Sequence, residues 1–131
     1  MSEAVLDASA LIAYLFDEPG AGTVSDALLS GAIMSTVNFS EVLSKLVDRG
    51  VSVDRSISDL RQSGILDLLE IADFTASLAK EAALLREYTR DMGLSLGDRA
   101  CLALARLRRV PALTADSLWA QVPGAVVRLI R

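Results

Sequence analysis

Ala4-Val5-Leu6-Asp7-Ala8-Ser9-Ala10-Leu11 opens with three apolar residues and a carboxylate, and then enters a charge-free run from Ala8 to Phe16. The triplet reads as a short strand ending in Asp7. Ala8 to Phe16 reads as a helix, closed by the turn residues Asp17-Glu18-Pro19-Gly20. A strand running straight into a helix is the repeating step of an α/β sheet.

Downstream the alternation continues. Thr23 to Ser30 reads as a second helix, with Leu28 and Leu29 toward the core, and Ala32 to Thr36 as a strand. Val37 to Arg49 carries Phe39, Val42, Leu43, Leu46 and Val47 at helical spacing, with Gly50 placed to end it. Asp54 to Gln62 is another amphipathic helix, Leu66 to Ile71 a strand, and Thr75 to Met92 the longest helix. Ser95-Leu96-Gly97-Asp98 then leads into Arg99 to Arg108, apolar on almost every face, as a buried helix is. Val110 to Thr114 and Val126 to Ile130 finish as strands around a Pro123-Gly124 turn. The fold class is α/β: a mostly parallel central sheet between two helical layers. With 131 residues and no repeats or long linkers, residues 1–131 are expected to form a single domain.

Composition removes several chemistries. The chain has no histidine, which excludes His-based acid–base ribonucleases, Ser-His-Asp hydrolases and Cys-His proteases. Its single cysteine, Cys101, cannot form an internal disulfide and sits in an apolar helical stretch as a plain buried thiol. At 52% hydrophobic and 23% charged residues, the chain is a folding one. Its apolar run from Ala8 to Phe16 is about half of the ~20 residues that a membrane span needs. Glu3 and Asp7 stand where a leader peptide would want basic and apolar residues. The expectation is a cytoplasmic protein without a membrane partner.

Whatever catalysis exists must therefore run on carboxylates, with a metal beside them. Asp7 ends the first strand, and Asp116 follows the strand-like Ala112-Leu113-Thr114, both at the site-forming end. Each has a modest structural role available: Asp7 as a helix N-cap, Asp116 as an Asx turn. Glu41 lies at capping-box spacing from Asn38 and at i, i+4 to Lys45, and Asp98 lies at capping-box spacing from Ser95. Together the four acids allow a shared oxygen-donor site suited to Mg²⁺ or Mn²⁺, whose charge would offset their repulsion. The formal charge of −4 comes from 17 acids and 13 bases, and setting these four acids aside leaves 13 against 13. Six arginines (Arg86, Arg90, Arg99, Arg106, Arg108, Arg109) crowd one region, as a solvated helix face or as an RNA track. Among them Arg99 is assigned to nucleic-acid contact.

Four stretches, in order, carry a resemblance. Leu6-Asp7-Ala8-Ser9-Ala10-Leu11, Asn38-Phe39-Ser40-Glu41-Val42, Leu94-Ser95-Leu96-Gly97-Asp98-Arg99, and Leu113-Thr114-Ala115-Asp116 followed by Trp119 resemble the PIN-domain family, in particular its VapC toxin branch. The resemblance spans essentially the whole chain and implies a PIN-like three-layer sandwich. It implies that Asp7, Glu41, Asp98 and Asp116 bind Mg²⁺ and carry catalysis. Ser9 and Thr114 would support Asp7 and Asp116, and Asn38 matches a polar position before the glutamate. Some family members carry a further acid after the fourth, whereas Ser117 and Leu118 stand here.

The activity implied is that of a metal-dependent endoribonuclease, the toxin of a toxin–antitoxin pair, hydrolysing RNA with a metal-activated water. Products would carry 5′-phosphate and 3′-hydroxyl ends. A homodimer and a cognate antitoxin, whose basic residues enter an apolar, acid-rich groove, are the implied partners. Two alternatives stand beside it. A carboxylate-based phosphatase would need a second Asp two residues after the first, where Ser9 stands, and a suitably placed lysine among Lys45 and Lys80. A catalytically silent PIN-like binding module would have lost acids that this chain retains.

Overall fold

The computed structural model describes residues 4–131; Glu3, set against a leader peptide by its charge, lies outside them. Side chains of the short strands alternate between two apolar layers, and this period of two makes the sheet central. Ala4 and Leu6 of β1 (Ala4–Leu6) and Ala32 and Met34 of β2 (Ala32–Ser35) face one cluster; Val5 and Ile33 face the other. With β3 (Leu69–Ala72), β4 (Ala112–Thr114) and β5 (Val127–Leu129), they form one sheet in the order β3-β2-β1-β4-β5. Every neighbouring pair is parallel, so the expected mostly parallel sheet is wholly so. Strands this buried carry apolar residues on both faces, as parallel strands must when helices cover both.

The first layer is built from α1 (Ala8–Leu15), α2 (Ala21–Ser30), α3 (Thr36–Asp48), α4 (Val53–Gln62) and the one-turn α5 (Ile65–Leu68). The second is α6 (Ala76–Thr89) and α7 (Leu96–Arg108), closed by Trp119 from a 3₁₀ turn over Ser117–Gln121. In α7, Ala100 to Ala105 are all buried, and Cys101 lies among them with no exposed surface. Among the described residues, no helix is long and apolar enough to cross a membrane.

Several boundaries differ from the sequence reading, each for a local reason. Leu66 to Leu68 are helical, because Gly64 adopts the left-handed conformation (φ 85°) and starts a turn before β3. Short apolar runs do not by themselves separate strand from helix. Leu29 is 74% exposed: α2 buries Val24, Ala27 and Leu28, and Leu29 falls off that stripe. Helix α7 begins at Leu96, three residues earlier than expected, because Ser95 and Asp98 form a complete capping box. Ser35, not Asn38, caps α3, which leaves the Asn38 side chain inside the first turn and free for other bonds.

Gly20 joins α1 to α2 at φ 98°, and a Cβ there would lie 2.6 Å from the Ile130 carbonyl oxygen. Gly50 has a similar φ of 90° but open space around it. Gly50→Ala should cost about 1–2 kcal/mol of left-handed strain. Gly20→Ala should cost clearly more, since the chain end must also shift. Urea denaturation of the two variants checks this, and equal losses would show that Ile130 yields freely.

Candidate active site

Strand β1 lies between β2 and β4, where the strand order changes direction, and crevices of open α/β sheets form at that point. Parallel register pairs Leu6 with Leu113, and the Asp7 amide donates to the Leu113 carbonyl at 3.1 Å. Asp7 is thereby carried in beside Thr114. It is 6% exposed, and its carboxylate collects three donors. The Ser9 hydroxyl (2.7 Å) and the Ala10 amide (2.9 Å) reach Oδ1; the Thr114 hydroxyl reaches Oδ2 at 2.6 Å. So the cap role and the site role are one geometry, since Asp7 caps α1 through Ala10.

Ser9 and Thr114 are themselves held by the backbone after β4. The Ala115 amide donates to Ser9 Oγ and the Asp116 amide to Thr114 Oγ1, both at 3.0 Å. Asp116 is exposed, with Oδ1 engaged by the Leu118 amide at 3.0 Å as a short cap.

Helix α3 follows β2 and brings Asn38 and Glu41 to the same end of the sheet. Asn38 is buried, and its amide nitrogen donates to Glu41 Oε1 (2.8 Å) and to the Gly97 carbonyl of α7 (3.0 Å). That locks Glu41 against Gly97: a Cβ on Gly97 would stand 2.3 Å from Glu41 Oε2. Asn38 Oδ1 is buried without a partner. Glu41 therefore turns to Asn38 rather than to Lys45, and no Glu41–Lys45 ion pair forms among the described residues.

Asp98 follows Gly97 and accepts from the Ser95 amide at 3.0 Å. Arg99 is half-buried and donates to the Ala82 carbonyl of α6 at 3.0 Å, so its guanidinium ties α7 to α6. Among the described residues it forms no ion pair with the four acids. Gly97, quoted in the sequence only as part of a motif, is the residue on which the Glu41 carboxylate rests. The signal was a glycine in the first turn of a helix already capped by Ser95, where alanine would be about 1 kcal/mol better on propensity alone.

Electrostatics unite three of the acids. Burial raises the Asp7 pKa above the ordinary carboxylate value; the Thr114, Ser9 and Ala10 hydrogen bonds oppose this, and the negative charge of Asp98 adds to it. Burial pushes the Cys101 thiol well up, and the charges of Asp7, Asp98 and Glu41 push it further. Cys101 thus stays a neutral floor beneath three carboxylates, as expected for a plain buried thiol.

The donor set is all oxygen, which fits a hard divalent cation, and the Asp98 charge, which adds to the effect of burial on Asp7, is of the kind that a cation relieves. As the side chains stand, no three of the described His, Cys, Asp and Glu residues converge on one ion-sized point. Glu41, Asp98 and Asp116 are each turned onto a nearby N–H donor.

A parallel sheet between two helical layers, with a buried aspartate at the point where the strand order reverses, defines a three-layer α/β protein. The chain belongs to the PIN domain family, whose model matches residues 4–125. Solved structures share the fold. A toxin–antitoxin complex from Klebsiella pneumoniae is 22% identical over 98% of each chain, with a TM-score of 0.70. DNA-bound VapBC from Salmonella typhimurium is 15% identical over 100% of each chain, at 0.76. Mycobacterium tuberculosis VapC20, a sarcin-ricin loop cleaving toxin, is 16% identical over 90% of this chain and 94% of that one, at 0.66. No curated protein sequence matches the chain.

Asp7→Asn keeps an acceptor for Ala10 and Ser9 while removing the buried charge. An acid whose folded pKa is raised binds its proton more tightly when folded, so its ionisation subtracts stability as pH rises through that folded pKa. In EDTA, Asp7→Asn should melt above the parent at neutral pH, with the gap closing as pH falls to the ordinary carboxylate range. A gap that widens on acidification would contradict the sign of the shift.

Proposed function

We propose that the protein is a Mg²⁺-dependent endoribonuclease acting as the toxin of a toxin–antitoxin pair. The observation that carries this reading is the buried Asp7 carboxylate at the sheet's switch point, held by Ser9, Ala10 and Thr114, in a chain of the PIN domain family. Likeness in fold to toxins of toxin–antitoxin complexes and to an RNA-cleaving toxin supports it.

Asp7, Glu41, Asp98 and Asp116 are the residues that would hold Mg²⁺, or Mn²⁺ in its place. The cation supplies Lewis acidity toward the phosphoryl oxygens and acidifies water. The chain's own residues do the rest. Ser9 and Thr114 keep Asp7 ionised and oriented, and Asn38 fixes Glu41 against Gly97. Glu41 or Asp116 orients the attacking water and takes its proton. Attack in line at phosphorus expels the 3′ oxygen and leaves a 5′-phosphate. A homodimer, a cytoplasmic setting and an antitoxin that covers the crevice complete the proposal. Exposed Leu29, Val47, Val53 and Leu68 supply apolar surface for such protein contacts.

The same four side chains, turned onto local donors, favour one other reading, a silent binding module. Cleavage of total bacterial RNA separates the two. The parent with Mg²⁺ should give discrete fragments with 5′-phosphate and 3′-hydroxyl ends. EDTA, or Asp98→Asn in Mg²⁺, should abolish them. Fragments ending in 2′,3′-cyclic phosphate would exclude the water mechanism, and no cleavage in any lane would leave the binding module.

Gly97→Ala provides a sharper check on geometry. Its methyl meets the flexible end of Glu41, so the fold should persist while the carboxylate moves. Displacement on this scale should lower kcat/KM by about 100-fold. Cleavage at the parent rate by a folded Gly97→Ala would remove Glu41 from the mechanism.

A further inference from the structure

A cavity of about 340 Å³ is lined in part by Ser9, whose hydroxyl also holds Asp7. Its walls carry Lys45 from α3, Arg49 from the C-cap just after it, and Arg131, against Glu18 and Asp48. Three cations face two acids, in a chain whose formal charge is −4. The excess is local and lies next to the site.

The cations are held differently. Glu18 pairs with both Arg131 (3.7 Å) and Arg49 (4.0 Å), and the Arg49 guanidinium lies over the Phe16 ring, 3.7 Å from its centroid. Arg131 also donates to the Pro19 carbonyl at 2.9 Å. One acid and one ring thus fix two guanidinium groups in place before any ligand arrives, which lowers the entropic cost of binding. Lys45, among the described residues, has no carboxylate within ion-pair distance. Helix periodicity puts Glu41 and Lys45 on one face of α3, four residues apart, and Arg49 follows as the residue that caps the helix, so the chain leads from Glu41 into the basic cavity.

We infer that this cavity is a phosphate subsite for single-stranded RNA, in which Lys45 and Arg49 hold a backbone phosphate adjacent to the one placed at the acids. The inference rests on the ribonuclease reading and adds to it the path of the strand, from Asp7 across Ser9 toward the chain end. A strand so placed meets repulsion at the acids and attraction one step away, and the attraction sets the register. Arginine suits the fixed position because its planar fork matches phosphate oxygens, and lysine suits the mobile one as a point charge.

Binding tests this without catalysis. Fluorescence anisotropy of a fluorescein-labelled oligouridylate is measured on Asp98→Asn in EDTA across a range of KCl concentrations. Removing one cation that neutralises a phosphate should make the slope of log affinity against log salt shallower by about 0.7 for a single strand. Lys45→Gln in that background should show one such step, and Lys45→Gln with Arg49→Gln about two. Lys80→Gln, an exposed charge on α6, should leave the slope unchanged. Since Arg49 also packs on Phe16, the exposed Lys45→Gln alone decides should the double variant unfold. Equal slopes for Lys45→Gln and its background, or no RNA binding at all, would overturn the subsite. RNA binding with these slope changes, together with a parent that never cleaves, would defeat the nuclease reading and leave the subsite standing.

Discussion

Everything at the carboxyl end of the sheet hangs on the parallel pairing of β1 with β4. That register sets Asp7 beside Thr114, and the ionised form of a buried carboxylate is tolerable only with donors of this quality. Charge-assisted hydrogen bonds are worth about 1.5–3 kcal/mol each, and Asp7 receives three. They do not fully offset burial, since the Asp7 pKa still lies above its ordinary value. The molecule therefore keeps a carboxylate where folding alone would prefer none. Residues that break the rules of stability in this way mark functional sites more reliably than well-satisfied ones.

The fold is legible because its signals are local. Apolar runs of strand length alternating with helical patterns give an α/β sheet, and the turn residues at Pro19-Gly20, Gly50 and Gly93 separate them. Boundaries shift where two local signals compete. Leu66 to Leu68 is apolar enough for a strand, and only the left-handed Gly64 makes it a turn of helix. Apolarity alone puts Leu29 inside, but position on α2 decides exposure. The site is legible in a different sense. Each acid alone has an ordinary capping role, and the structure shows three of them filling it: Asp7 on Ala10, Asp98 on Ser95 and Asp116 on Leu118. Neither role excludes the other, so no single acid can be sorted by sequence; their order along the chain carries the information.

Contacts between distant segments are not legible at all. Nothing in the sequence says that Asn38 bridges Glu41 to the Gly97 carbonyl, 59 residues away, or that Gly97 is small because Glu41 rests on it. Nor does it distinguish Arg99, bound to the Ala82 carbonyl, from the other arginines of its region. Such facts belong to packing, which periodicity does not encode.

Net charge misleads for a related reason. A value of −4 suggests a chain that repels nucleic acid, but potential depends on where charges sit. Asp7, Asp98 and Glu41 all act on the buried Cys101 thiol, so part of the negative charge is gathered at one end of the sheet rather than spread over the surface. Glu18, nominally a further repulsive charge, orients Arg49 and Arg131 toward a common cavity. An acid that positions two guanidinium groups acts on anion binding in two opposed ways, fixing them in place and adding its own negative charge at the cavity wall. Replacing Glu18 with glutamine would raise the formal charge and yet release both arginines, so the sign of its effect on affinity measures how far preorganisation outweighs bulk electrostatics in this fold.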